Sequence, residues 1–215
     1  MCLSGNVGTV EEVAREYYLG PRRFRDCLID TACVYGGLCW LLFHDILFHD
    51  NLNSGQPLCA QFYHTPQRFY ERHRNVIETR LAEYMSDPGG VFDRQMTCFR
   101  SHPFFRDPRS KIAAYSGTWL LKNDSHLRAF ATMSVEHAQD ALIRETMLNS
   151  VKGRNAGWPD LVAWSERSIV FAEVKSSDEL SASQRSWIAD HQDGYAIELI
   201  RVIEERPNKL GAGDG

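Results

Sequence analysis

The chain has no C-x-x-C pair, no surplus of positive charge and no apolar run that could cross a bilayer, and each absence removes a class of protein. Its six cysteines (Cys2, Cys27, Cys33, Cys39, Cys59, Cys98) match neither zinc-ligand spacing nor a disulfide framework, so they read as buried thiols of a reducing compartment. The longest uncharged apolar run, 31–43, falls short of the roughly 20 residues a spanning helix needs. Residues 1–16 lack a basic segment followed by an apolar one, so neither a secretory leader nor a membrane partner is expected, and the expected location is cytoplasmic. A net charge of −4 gives no general attraction for a polyanion. Residues 66–111 nevertheless hold nine Lys/Arg against six Asp/Glu, whereas 176–215 hold four against eight. Any phosphate contacts should therefore be local. Internal repeats and low-complexity segments are also lacking.

What is present suffices for one compact unit: 215 residues, 43% of them hydrophobic, can bury a sizeable core. Residues 9–19 read as a helix capped by Thr9 and ended by Gly20-Pro21. The spacing predicts a second, longer helix over 22–48, apolar almost all round and so central to the fold. A third helix starts at Pro66 and stops at Asp87-Pro88-Gly89-Gly90. One of its sides carries Phe69, Tyr70, Val76, Ile77 and Leu81, the other Arg68, Arg72, Arg74 and Arg80. Pro103 and Pro108 argue for loop over 96–123, with a short helix at 110–121. An amphipathic helix follows over 134–150.

The stretch 157–187 carries the chemistry. Residues 161–164 and 168–174 are β-branched or aromatic runs on either side of a polar Ser165-Glu166-Arg167 turn, and they predict an antiparallel hairpin. A helix over 181–191 and a strand over 196–203 complete a β-β-α-β unit. Period 2 puts Glu173 and Lys175 on one face of the second strand, while Asp160 opens the neighbouring strand, so two carboxylates and an ammonium can converge at one sheet edge. Such a pair, with the carbonyl of Val174 as a third oxygen, suits Mg²⁺ or Mn²⁺, and Lys175 can then hold an attacking water. An edge-strand Glu/Lys pair with a turn Asp is the plainer reading of the same residues.

The order of these motifs identifies a relationship. Gly157-Trp158-Pro159-Asp160-Leu161, Glu173-Val174-Lys175 and Leu180-Ser181-Ala182-Ser183-Gln184 resemble the G-x-P-D-L, E-V-K and L-S-x-x-Q elements of the VRR-Nuc domain, a branch of the PD-(D/E)xK nucleases. The resemblance implies an α/β fold with a restriction-endonuclease-like core, a small mixed sheet flanked by helices. It also implies division into a helical N-terminal portion (1–133), a catalytic core (134–206) and a disordered tail (207–215). The implied activity is metal-dependent hydrolysis of DNA phosphodiesters, with DNA as partner, Mg²⁺ or Mn²⁺ as cofactor, and Asp160, Glu173, Lys175 and Gln184 as catalytic residues. Metal would bind at Asp160, Glu173 and the Val174 carbonyl.

Fainter likeness to the Fanconi-associated nuclease family extends upstream. Tyr17-Tyr18, Asp30 and His44-Asp45-Ile46-Leu47-Phe48 follow that family's order, with Asp30 where the family has a metal-binding Glu. Residues 69–74 and 77–81 resemble its F-Y-x-x-R and I-x-x-R-L. Asp30 is thus a candidate third metal ligand, although a solvated aspartate explains it equally well. The same minimal body is similar to VRR-Nuc effector toxins, which implies a second deployment: delivery into a target-cell cytoplasm, with an immunity protein as partner. A catalytically inactive docking module is the reading from another class, and the intact Glu173-Val174-Lys175 speaks against it.

Several residues carry two readings. Ser181-x-x-Gln184 is a capping box, while the family places this glutamine beside the active site. Arg68, Arg72, Arg74, Lys152 and Arg154 are candidate nucleic-acid contacts, as are Arg22, Arg23 and Arg25, though solvated faces look the same. Trp158 reads as core packing before nucleotide stacking. The pairs His44-Asp45 and His49-Asp50 invite a metal reading, but residues five apart on one helix point about 140° apart, so packing and helix-end polarity explain them better.

Overall fold

A computed structural model describes residues 8–49, 66–101, 124–136, 140–149 and 157–203. The expected 51–56 loop, the 110–121 helix, Lys152, Arg154 and the tail after 206 lie outside these residues.

Four strands form one mixed sheet in sequence order: β1 (Asp26–Ile29), β2 (Leu161–Trp164), β3 (Ile169–Lys175) and β4 (Ala196–Arg201). β1–β2 and β2–β3 are antiparallel, whereas β3–β4 is parallel. A parallel return needs a crossover, and α7 (Ala182–His191) supplies it. β2 and β3 are buried on both faces, which explains why their sequences run apolar without alternation. One face (Cys27, Leu161, Ala163, Val170, Ala172, Val174) packs under α1 (Val10–Leu19) through Ala14 and Tyr18. The other (Leu28, Val162, Trp164, Ile169, Phe171) meets the helical body.

That body is built round α2 (Thr31–His49), which buries Val34, Tyr35, Leu38, Leu41, Leu42 and Phe43 on several sides at once. Around it stand α3 (Pro66–Ser86), α4 (Pro88–Ser101), α5 (Asp124–Glu136) and α6 (Asp140–Asn149). The Arg80 guanidinium on α3 donates to both Asp45 oxygens, at 2.5 and 2.9 Å, and to the Leu42 carbonyl at 2.7 Å, tying α3 to α2. His44 is buried, its Nδ1 2.9 Å from the Leu41 carbonyl and its ring edge-on to Phe99. Both residues of the first His-Asp pair therefore hold the core together, as the packing reading expected.

The expected helix over 22–48 is corrected. Its first part is β1, and Asp30 stands at the junction rather than on a helix. Asp30 adopts left-handed backbone (φ 66°), which Asp tolerates better than most residues, and its carboxylate accepts the Cys33 N–H at 3.0 Å as the cap of α2. No Gly or Pro marks the break between strand and helix, and pairing with β2 overrides the local pattern. Similarly, Asp87-Pro88 ends one helix and starts the next: Asp87 caps α4 through the Gly90 N–H at 2.9 Å, and Pro88 fits a first helical turn. Residues 96–101 are therefore helix rather than loop. The expected 134–150 helix divides into the end of α5 and α6, and α5 runs across the 133/134 division. Val76 is exposed, Arg80 belongs to the α2–α3 contact, and Cys98 is exposed rather than buried.

Burial holds the His44 pKa below its usual value. The hydrogen bond from Nδ1–H to the Leu41 carbonyl opposes this shift, but burial outweighs it, so charging the ring in the fold is disfavoured. A depressed folded pKa means that stability is complete above the unfolded value of about 6.5 and is lost as pH falls through the folded one. Thermal melts should therefore fall from pH 7.5 to 5.5, and His44→Leu should flatten that part of the profile. Parallel profiles for the two proteins would contradict the assignment.

Candidate active site

The site sits where β2 begins and β3 ends. Leu161 is paired with Ala172, so one step further along the antiparallel register Asp160 lies opposite Glu173. Asp160 is anchored twice: its Oδ2 accepts the Val174 N–H at 2.8 Å, and its carbonyl accepts the Asp30 N–H at 2.7 Å. In a strand the N–H and C=O of one residue point the same way, so the Val174 carbonyl faces the Asp160 side, as a third oxygen donor must.

Glu173 is the most constrained group. It is 1% exposed, and an unpaired buried carboxylate is costly. Two donors meet its Oε1: the Lys175 ammonium at 2.7 Å, and the Gln184 side-chain amide. Burial pushes its pKa up, and the charge of Asp160 pushes the same way, while Lys175 pulls it back. The contact with Glu173 raises the Lys175 pKa, so the ammonium stays charged.

Gln184 combines its two readings. The Ser181 hydroxyl accepts the Gln184 N–H at 3.2 Å, and the Gln184 Oε1 accepts the Ser181 N–H at 2.9 Å, which is the complete capping box of α7. With its oxygen held by the cap, the amide can only present its NH₂ to Glu173. Gly157 lets the chain approach: its φ is +111°, and a Cβ there would lie 2.5 Å from the Ser183 carbonyl. Behind the site Trp158, Trp187, Phe171 and Tyr35 form one aromatic wedge, with Trp158 4.9 Å from Tyr35 and 5.4 Å from Trp187. Trp158 is core, not a stacking platform.

Asp160, Glu173, Lys175 and Gln184 are thus brought together. Asp30 touches this group through its backbone, while its carboxylate caps α2. Among the described residues, no three His, Cys, Asp or Glu side chains gather for a metal ion. Two adjacent carboxylates with a nearby carbonyl still suit a cation that binds one or two carboxylates and keeps waters, as Mg²⁺ does. Burial, and after it the charge of Asp160, raises the Glu173 pKa. Glu145, on α6, pairs instead with His191 at 2.7 Å, at the far end of α7 from Gln184. Arg68, Arg72 and Arg74 are exposed on α3. Sequence reasoning missed the second anchor of Asp160; the only signal was an Asp directly before an apolar helix.

Residues 113–203 match the VRR-NUC domain. The match covers Asp160, Glu173, Val174, Lys175 and Gln184 but not Asp30. No curated protein sequence matches the chain. The fold is similar to a crystal structure of paFAN1 bound to DNA with a gap and a 2-nucleotide 5′ flap (TM-score 0.58, 17% identity, 96% of this chain and 37% of that one). A second paFAN1 structure, with a 1-nucleotide 5′ flap, gives a TM-score of 0.52 at 20% identity over the same shares. The likeness establishes a shared fold, and the chain spans 37% of the length of paFAN1 in those structures.

Replacing Gln184 by Glu separates cap from site. Glu at this position completes a capping box equally well, but it cannot donate to Glu173 and adds a third anion. Gln184→Glu should leave the melting temperature within a few degrees while activity falls at least about tenfold. Equal loss of both would mean that the glutamine serves only the helix.

Proposed function

We propose that the chain is a metal-dependent nuclease that hydrolyses DNA phosphodiesters. The observation that carries this reading is the buried Glu173 held between the Lys175 ammonium and the Gln184 amide, beside Asp160. Isolated surface pairs do not bury a carboxylate to this extent. The VRR-NUC match and the likeness to a fold crystallised on flap DNA support the substrate class.

Asp160, Glu173 and the Val174 carbonyl would hold Mg²⁺ or Mn²⁺, which supplies Lewis-acid polarisation of a phosphoryl oxygen and a more acidic bound water. The chain's own residues do the rest. Lys175 stays charged through its contact with Glu173, so it positions the attacking water by donating to it and offsets negative charge developing on phosphorus. Gln184 keeps Glu173 in one rotamer, and the Val174 N–H keeps Asp160 in one. Asp30 is proposed as the third carboxylate. Support for it is the 2.7 Å hydrogen bond that seats its backbone against Asp160, and its position at an exposed junction. Exposed arginines Arg68, Arg72 and Arg74 are proposed phosphate contacts, together with Lys152 and Arg154.

One experiment with two variants tests the scheme. The unaltered protein should nick or degrade DNA with Mg²⁺ or Mn²⁺ and stop with EDTA. Lys175→Ala should lose about 100-fold or more of the rate while still binding DNA. Asp30→Asn keeps both the cap and the left-handed backbone and removes only charge, so it should raise the metal requirement about 10–100-fold at unchanged stability. Full activity in Lys175→Ala would refute the nuclease assignment; an unchanged metal requirement in Asp30→Asn would remove that residue from the site.

A further inference from the structure

Several arginines of the described residues hold a carboxylate. Arg22 pairs with Glu198, Arg80 with Asp45, Arg100 with Asp124, Arg128 with Asp93, and Arg144 with both Glu78 and Asp140. Other arginines have no carboxylate partner among the described residues. Arg23, Arg25 and Arg167 are three of them. They come from two segments, Arg23 and Arg25 from the connection between α1 and β1 and Arg167 from the β2–β3 turn, and they line one cleft of about 550 Å³ with Ser165 and Glu166. Among the described lining residues Glu166 is the single carboxylate and forms no ion pair with the three guanidiniums, so these residues together carry two net positive charges.

The backbone under these arginines is fixed. Arg23 sits in left-handed conformation (φ 56°), uncommon for a long side chain, and its turn is held by Arg23 N–H to Gly20 at 3.2 Å and Phe24 N–H to Tyr18 at 2.9 Å. The Arg25 N–H donates to the Trp164 carbonyl at 2.8 Å, binding this turn to the hairpin. Within the hairpin the Ser165 N–H donates to the Ser168 carbonyl at 2.8 Å and the two hydroxyls meet at 2.9 Å. A strained residue in a pinned turn, with three cations converging from two segments, suits a ligand rather than a solvated face.

We propose that this cleft binds the phosphodiester backbone of the nucleic-acid substrate away from the bond that is cut. The inference rests on the nuclease reading above. Ser165 lies five residues along β2 from Asp160, about 17 Å at 3.3 Å per residue. At 3.4 Å per base pair this places the contacted phosphates roughly five base pairs from the active site. Planar guanidiniums with several donors each suit phosphate oxygens and carry no base specificity.

The test is binding without cleavage. Affinity for a labelled 20-base-pair duplex is measured by anisotropy in EDTA over a range of KCl concentrations. Replacing Arg23, Arg25 and Arg167 by Gln together should lower the slope of log affinity against log salt by about 2–3, since each phosphate contact contributes about 0.9. The matching Lys variants should restore it. Arg167→Gln alone, on the hairpin turn, should lower the slope by about 1 should the triple variant not fold. An unchanged slope for the 20-base-pair duplex overturns the proposal. It is overturned equally if inorganic phosphate raises the melting temperature of the unaltered protein only, with the DNA slope unmoved, because the cleft then serves a small anion. The outcome is separable from the nuclease reading: an active enzyme with an unchanged slope refutes this site alone, and a lowered slope in a protein that never cuts refutes the nuclease alone.

Discussion

A carboxylate that is almost wholly buried must be compensated, and Glu173 is the group on which the local structure depends. Its compensation comes from Lys175, two residues along the same strand, and from Gln184, the third residue of the following helix. Removing either partner leaves negative charge in a poorly solvated place. Asp160 nevertheless places a second carboxylate beside it, and its charge adds to burial, the larger cause, in raising the Glu173 pKa. A pure stability device would minimise such repulsion. A site prepared for a cation accepts it, and perturbed carboxylates of this kind cluster where chemistry is done.

The surrounding fold positions this pair rigidly. Antiparallel register sets Asp160 opposite Glu173, and the parallel return through α7 carries Gln184 back over the end of β3. The aromatic wedge of Tyr35, Trp158, Phe171 and Trp187 fixes α7 against the sheet and α2. Gly157 is required because the chain passes within 2.5 Å of where its side chain would meet the Ser183 carbonyl. Loss of α2 would remove both the wedge and the Asp30 anchor of Asp160, so the N-terminal portion belongs to the site and is not an appendage. It also contributes an edge strand of the sheet.

How much of this was legible in the sequence depended on where the determining contacts lie. The hairpin, α7 and β4 are specified locally, by apolar runs between turn residues and by a capping box, and their expected bounds agree with the structure to within two residues. The convergence of Asp160, Glu173 and Lys175 follows from period 2 and a short turn, which are local as well. β1 was not legible. Its four residues, Asp26–Ile29, carry no strand pattern of their own and are extended because β2 offers a partner more than a hundred residues away. The same long-range effect moved Asp30 from a helix face to a helix cap. Asp87-Pro88 was misread for a different reason, since one dipeptide both stops a helix and caps the next.

The central claim is that Asp160 and Glu173 form a seat for a divalent cation. Calorimetric titration of Mn²⁺ into the metal-free protein, in parallel with a Glu173→Gln variant of unchanged melting temperature, tests it most directly. The account predicts saturable Mn²⁺ binding that weakens as pH falls, because protons compete with the cation for the carboxylates, and that drops at least about tenfold in the variant. Equal Mn²⁺ affinity in the two proteins would contradict it.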